Sequence, residues 1–360
     1  MVVVQILPAL NNGGVERGTV EVANFLAKSG HTSIVISAGG KMLDNFSEKV
    51  EHISLSVGKK SLTSLLLINK LKQIFVERKV DIVHARSRLP AWLVYKAIAK
   101  IKQHKPKFIT TIHGLYSVKR YSSIMARGDR VIAVSKTAAD YIKTHYSKYL
   151  KGDPQIIYRG IDPNKFSYGH EPDILWLQKF YEKHHQLVGH KIVLLPGRLT
   201  SLKGAKDLLF WLQSQDNDAK LVFTADPEND MYAARLYHWF KEKGVEQRIV
   251  WIGLQTSMAD LYAIANVVVS TSIRPESFGR TVVESLAVGT PVVGYNHGGV
   301  GEILSEIFPQ GKVDLGDVEE LSRKINQVLE NMPVIENTQP YLLSDMLQQT
   351  IALYHEAIND

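Results

Sequence analysis

Short apolar runs alternate along the chain with longer stretches whose apolar positions recur at helical spacing. The first kind reads as buried strand and the second as amphipathic helix, a pattern of repeated βα units on parallel sheets. In the first half, strands are predicted near Val2–Leu7, Thr32–Ser37, Ile82–Ala85, Phe108–Ile112, Arg130–Ala133 and Gln155–Tyr158, with helices over Val20–Lys28 and Ser64–Glu77. In the second half they are predicted near Ile192–Pro196, Lys220–Thr224, Ile249–Ile252, Val267–Ser270 and Pro291–Gly294, with helices over Ala205–Gln213, Tyr232–Lys243 and Met258–Ala265. Right-handed crossovers turn such a series into two doubly wound sheets whose strand ends face a shared cleft. The pattern breaks at Asp162-Pro163 and at Gly169-His170-Glu171-Pro172, which predicts domains over 1–168 and 169–340. Asp173 to Leu187 reads as a helix that opens the second domain or bridges the cleft, and Tyr341 to Ile358 is amphipathic.

Composition changes this picture little. A chain of 360 residues suits two domains, each of roughly 150–200 residues. With 45% hydrophobic and 22% charged residues the balance is that of an ordinary globular protein. There is no cysteine, so disulfides and thiolate metal sites are excluded and a reducing compartment fits. The segment Met1 to Pro8 lacks a basic region and a long apolar one, so it reads as a first strand and not as a signal peptide. No run reaches the ~18 apolar residues of a membrane span. A cytoplasmic protein is the expectation.

Charge adds more. Residues 1–165 carry 27 Lys and Arg against 11 Asp and Glu, whereas the remainder carries 16 against 25. The first half is therefore expected to face something anionic. Nucleic acid, acidic lipid headgroups and a phosphorylated glycan all fit, as does a solvated basic surface.

The densest chemistry lies in Pro275-Glu276-Ser277-Phe278-Gly279-Arg280-Thr281-Val282-Val283-Glu284. A strand precedes it, loop composition runs from Ser272 to Gly279, and helical periodicity runs from Thr281 to Val288. The start of such a helix offers unpaired N–H groups and positive dipole to a phosphate. Glu276, ahead of the helix, can accept hydrogen bonds from sugar hydroxyls, and Glu284 from a ribose. Two glutamates at this spacing also arise by chance on a solvated helix face. Here they are followed by Ala287-Val288-Gly289-Thr290-Pro291-Val292-Val293 and His297-Gly298-Gly299-Val300-Gly301-Glu302. Together these residues resemble the E-x7-E donor site of the family 4 retaining nucleotide-sugar glycosyltransferases, which have the GT-B fold.

Further segments carry the same resemblance. In Gly197-Arg198-Leu199-Thr200-Ser201-Leu202-Lys203-Gly204, Arg198 can grip phosphate with a planar fork and Lys203 supplies a compact charge. The segment is similar to the family's G-R-x-x-x-x-K-G, whose cations neutralise the donor diphosphate without a metal. Asn11-Asn12-Gly13-Gly14 follows the first strand, and adjacent glycines permit close backbone approach. It resembles the family's Gly-Gly loop over the diphosphate. A dinucleotide site is the rival, but G-x-G-x-x-G is missing and the second strand ends in Ser37-Ala38-Gly39-Gly40, without an acid for a ribose. His113 ends a strand; a lone His is more often structural, yet the resemblance puts it beside the donor sugar, orienting or polarising the reactants. Arg86 and Arg88, in His84-Ala85-Arg86-Ser87-Arg88, suit acceptor phosphates or carboxylates. Ser135 and Arg159-Gly160-Ile161-Asp162 match further landmarks, with Arg159 where Asn is commoner. Asp216-Asn217-Asp218 precedes a strand and reads as a polar turn. Trp251-Ile252-Gly253 is expected to border the base pocket. Lys59-Lys60 and Leu115 to Met125 are membrane candidates; the latter interleaves basic, aromatic and apolar residues, and reads equally as an amphipathic helix over a core.

The resemblance implies an α/β GT-B protein whose first domain binds acceptor, whose second binds donor, and whose last helix, within 341–360, packs back on the first. It makes His113, Glu276, Arg198 and Lys203 catalytic. It gives the donor Gly13, Gly14, Ser277, Phe278, Gly279, Arg280, Thr281, Val282 and Glu284, and gives the acceptor Arg86, Arg88, Lys119 and Arg120. Neither metal nor cofactor is expected beyond the UDP- or GDP-linked donor itself. The reaction implied is hexosyl transfer with retention to an anionic glycan or glycolipid. Phe278-Gly279-Arg280-Thr281 and Ser87-Arg88-Leu89-Pro90-Ala91-Trp92 resemble lipopolysaccharide-core transferases. That places the chain at the cytoplasmic face of the inner membrane, touching anionic lipid and no nucleic acid. UDP-glucose, UDP-N-acetylglucosamine and GDP-mannose stay open as donors, and capsule, teichoic acid and other glycolipids as products. A sugar-nucleotide epimerase and a non-enzymatic basic binding protein are the alternatives.

Overall fold

β-branched residues dominate the runs that become strands, and helices on both faces bury them, as parallel sheets require. A computed structural model describes residues 1–11, 13–59, 64–214 and 218–360. The chain divides into two units, Met1–Gly160 with Leu343–Asp360, and Ile161–Leu342.

The first unit contains β1 (Val2–Ile6), α1 (Gly14–Lys28), β2 (Thr32–Ser37), β3 (Val50–Ser54), α2 (Ser64–Glu77), β4 (Ile82–Ala85), α3 (Arg88–Ala99), β5 (Lys107–Ile112), β6 (Arg130–Ala133), α4 (Lys136–Tyr146) and β7 (Gln155–Ile156). Its seven parallel strands lie in the order β3-β2-β1-β4-β5-β6-β7. The winding direction reverses between β1 and β4. At such a point an open α/β sheet leaves a crevice beyond its strand carboxyl ends, where ligands bind.

The second unit contains α5 (Ile174–Lys183), β8 (Ile192–Leu195), α6 (Leu209–Gln213), β9 (Lys220–Phe223), α7 (Met231–Glu242), β10 (Ile249–Trp251), α8 (Met258–Ile264), β11 (Val267–Ser270), α9 (Arg280–Val288), β12 (Val292–Tyr295), α10 (Gly298–Ile307), β13 (Lys312–Val313) and α11 (Val318–Glu330). Six parallel strands run β10-β9-β8-β11-β12-β13, reversing between β8 and β11. The last helix, α12 (Leu343–Asn359), joins the first unit's core, where Met346, Leu347, Leu353 and Tyr354 pack with Val3, Ile82 and Ile109. Each such buried apolar side chain contributes about 1.5–3 kcal/mol. Among the described residues no helix is long and apolar enough to cross a membrane.

Several features differ from the sequence reading; helices α3, α4, α10 and α11 were not named in it. Strands β3 and β13 were not expected; both are edge strands, and β3 keeps polar Glu51 and His52 on its half-covered surface, so no apolar run marks it. Helix α1 starts at Gly14 instead of near Val20, because Arg17 N already donates to Gly13 O at 3.0 Å and Thr19 Oγ1 bonds back to Val15 O. The units divide at Gly160, ahead of residue 168, since Ile161 pairs with Leu342 and Gly169 N donates to Val288 O within the second unit.

Candidate active site

In the second unit the reversal between β8 and β11 brings two loops together. The loop after β8 passes through Gly197 and Arg198 to a single turn at Ser201–Lys203; the loop after β11 runs from Thr271 to Gly279 and opens α9. Backbone and side chain stitch them: Ile273 N donates to Leu202 O at 2.8 Å and Thr271 Oγ1 to Lys203 O at 2.9 Å. This seats Lys203 Nζ 2.7 Å from Glu276 Oε1, which also accepts from Ser272 Oγ at 2.5 Å. Burial alone would raise the Glu276 carboxyl. The Lys203 charge, the hydrogen bonds from Lys203 and Ser272, and nearby His297 outweigh it and hold the group below the usual carboxylate range. His297 is itself fixed, Nε2 donating to Ser272 O at 2.6 Å.

One helix turn further on, Glu284 is buried and held at both oxygens. Arg280 Nε donates to Oε1 at 3.0 Å and Tyr262 OH to Oε2 at 3.1 Å. Helix α9 starts at Arg280, directly after this loop, with Val282 N bonded to Gly279 O at 3.0 Å, and a helix start carries positive dipole. Two oriented carboxylates, two cations and a helix start at a strand reversal form a site for an anionic, polyhydroxylated ligand.

The first unit builds a second polar edge at its own reversal. His84 is fully enclosed, with Nδ1 2.6 Å from Tyr354 OH and Nε2 2.6 Å from Thr111 Oγ1. Burial first, then Arg86 and Arg159, push its imidazole well below the ordinary value. His113, just after β5, is depressed likewise by burial, then Arg159, Arg86 and His84. Arg86 is buried and spends Nε and Nη2 on the neutral Gln5 Oε1, at 2.9 and 2.5 Å.

Known proteins match both units. The family described as Glycosyltransferase Family 4 matches residues 12–165, and Glycosyl transferases group 1 matches residues 178–341. The chain belongs to glycosyltransferase family 4. It is therefore a glycosyltransferase, of GT-B fold. N-acetyl-alpha-D-glucosaminyl L-malate synthase of Bacillus anthracis is 25% identical over 92% of this chain and 87% of its own length. A glycosyltransferase from Rickettsia africae ESF-5 has a structure that superimposes with a TM-score of 0.86, at 29% identity, over 100% of this chain and 99% of the other. Anabaena HepE, in complex with UDP and glucose, superimposes with a TM-score of 0.79 at 18% identity, over 99% and 100% of the two chains, a likeness of fold.

Within this glycosyltransferase the sequence-predicted residues are placed unequally. Lys203, Glu276, Ser277, Gly279, Arg280, Thr281 and Glu284 gather around the α9 start, and exposed Arg198 lies on the loop that carries Lys203. Phe278 and Val282 turn their side chains into the core, leaving only backbone for a ligand. Arg280 Nε is bonded to Glu284. Gly13 and Gly14 lie where β1 passes into α1; Asn12 is outside the described residues, as are Lys60, Asp216 and Asn217. Arg88 bonds Ser122 Oγ and stacks over Tyr116 and Tyr121 at 4.7 and 5.5 Å, so it is held by its own unit. Ser135 caps α4 through Ala138 N. Lys119 and Arg120 are exposed, whereas Ile124 and Met125 of the same segment are core residues, so its later half covers the core. Trp251 stacks on Phe223 with ring centroids 4.6 Å apart.

Sequence reasoning missed Gln5, Tyr262, Ser272, His297 and Tyr354. His297-Gly298-Gly299 was in view as a pattern; nothing local says that its imidazole reaches back to Ser272.

Proposed function

We propose that this glycosyltransferase moves a hexose, with retention of anomeric configuration, from a nucleotide-diphosphate sugar to an anionic glycan or glycolipid, lipopolysaccharide core being the favoured acceptor. The observation that carries the reading is Lys203 at 2.7 Å from Glu276, beside the amino end of α9. The diphosphate lies against Arg198, Lys203 and the first amides of α9, and the hexose hydroxyls donate to Glu276. Glu284, already oriented by Arg280 and Tyr262, accepts from the ribose. As the glycosidic C–O bond breaks, negative charge grows on the departing diphosphate, where these fixed cations and dipoles stabilise it. The acceptor hydroxyl attacks from the same face, and the departing phosphate takes its proton. His113, kept neutral by its surroundings, orients the reactants. Neutralisation by side chains is assigned here the work a divalent cation does in other enzymes. The uridine nucleotide in HepE and the N-acetylglucosaminyl group named in the B. anthracis relative support a UDP-linked donor.

A donor binding the folded state alone raises its melting temperature, by about 2.7 kcal/mol of stability at a hundred times its dissociation constant. UDP-glucose, UDP-N-acetylglucosamine and GDP-mannose are the panel; one should stabilise the protein, and Arg198→Ala should cut the rise. If none shifts the transition, the proposal fails.

The acceptor class rests on the basic first half and on the exposed Lys119 and Arg120, next to exposed Val118. Salt-sensitive sedimentation with anionic vesicles is expected, weakened by Lys119→Glu with Arg120→Glu. Equal sedimentation of wild type and double variant would remove the membrane arm. A small anionic acceptor is the second reading, favoured by the malate in the name of the relative matched along 92% of the chain. An assay with L-malate, without vesicles, separates the two.

A further inference from the structure

Arg159 is 8% exposed and comes from beyond β7, at one edge of the first sheet. Its guanidinium nevertheless reaches α1, which follows the central strand β1. There Nη2 donates to Gly14 O at 3.1 Å. The same group lies across Gly18, one turn along the helix. A Cβ on Gly18 would meet Arg159 Nη2 at 1.5 Å, Cζ at 2.5 Å and Nη1 at 2.7 Å, and these are the nearest atoms it would meet. The absence of a side chain at Gly18 is thus the socket for this guanidinium. Gly13 caps α1 without a side-chain hydrogen bond, so the Arg159 guanidinium on Gly14 O is a side-chain anchor at the amino end of the helix.

We infer that Arg159 is a positioning residue, which seats in the Gly18 socket and holds the Gly13-Gly14 turn, and with it the amino end of α1, in place for the anionic donor. The inference rests on the nucleotide-sugar reading for its ligand, while the geometry stands on the fold. A planar fork anchored on a carbonyl fixes a backbone in a way a flexible ammonium does not. The positive charge also sits near His113. The groups that face that imidazole are Arg159, Arg86 at the end of β4, His84 within β4, and Tyr116, whose phenol hydrogen-bonds the His113 backbone. Burial and these cations favour the neutral ring, so protonation of His113 begins only well below its ordinary pH.

Two substitutions attack the device from opposite sides. Arg159→Gln removes the guanidinium. Gly18→Ala leaves Arg159 in the chain but fills its socket; only the far end of a flexible side chain has to move, and alanine favours the helix. Hydrogen exchange at Arg17 N–H, which donates to Gly13 O at 3.0 Å, reports the turn directly. Both variants should speed this exchange about tenfold or more and weaken UDP or GDP binding, by calorimetry, by a similar factor. The double variant should be no worse than either single one. In both, the acid limb of kcat/KM should move to higher pH, toward ordinary imidazole titration, whereas Arg159→Lys should keep the limb and still loosen the turn.

Unchanged exchange at Arg17 in both single variants, or effects that simply add, would overturn the role of Arg159. A Gly18→Ala protein with wild-type nucleotide affinity and wild-type pH profile would do the same. A wild type that binds neither UDP nor GDP would sink the donor reading instead, and the exchange result would still judge the clamp.

Discussion

Replacing Lys203 with alanine is expected to lower turnover by about a hundred- to a thousandfold, the loss typical when one preorganised group leaves a developing anion. The substitution acts twice. On the proposed function it takes a positive charge from the diphosphate, and it strips Glu276 of the cation 2.7 Å away that offsets its burial. Wild-type Glu276 has a depressed pKa, so its ionised form and the stability it lends are complete above the ordinary carboxylate range. Both fade as pH falls through the depressed value. In Lys203→Ala the carboxyl rises, and the acid limb of kcat/KM should move to higher pH. Lys203→Arg keeps charge but changes its shape, and should recover only part of the rate. Turnover within a fewfold of wild type for the alanine variant, or an acid limb that stays put, would contradict this account of the pair.

The second large effect concerns the residue after it. Gly204 has φ +63°, and a Cβ there would stand 1.8 Å from Thr271 O and 2.9 Å from Thr271 C. Both atoms are backbone at the end of β11, so they cannot give way as a side-chain tip would. Gly204→Ala therefore costs about 1–2 kcal/mol for the left-handed conformation and more for parting the two loops. A total near 3 kcal/mol or beyond, some 6–12 °C in melting temperature, is expected. Parting them also breaks the Thr271 to Lys203 hydrogen bond that seats the lysine, so donor-induced stabilisation should vanish with it. Gly189→Ala is the control: its φ is +76° but nothing lies within 4 Å of its Cβ, so only the conformational cost applies. Equal melting temperatures for the two variants would refute the backbone-clash argument.

Much of this molecule is legible in its sequence. The strands ending at Ile6, Ala85, Leu195 and Ser270 lie where apolar runs put them, because a buried parallel strand leaves a local signature. The stretches 197–204 and 275–284 stood out for a related reason: glycines, cations and carboxylates concentrated just after strands are a feature of single segments. Edge strands β3 and β13 were invisible because their half-covered surfaces do not demand apolar runs. In 115–125 the composition could not say which part covers the core: Ile124 and Met125 do, while Val118, Lys119 and Arg120 stay exposed, since an interfacial helix and a core-covering turn share one composition.

Which charges meet was a different matter. Arg198, Lys203, Glu276 and Glu284 were recognised as ligand-binding types, yet the Lys203–Glu276 pair, the hold of Arg280 and Tyr262 on Glu284, and the reach of Arg159 to Gly14 were not foreseen. Arg86 and Arg88, chosen as acceptor contacts, turned out to be occupied by Gln5 and by two tyrosines. By itself the sequence determined the alternation of strands and helices and the segments rich in chemistry, because both are written in periodicity and neighbours along the chain. Only the tertiary structure decided the partners. Those depend on strand order and on where each sheet reverses, which bring together residues that lie far apart in the chain.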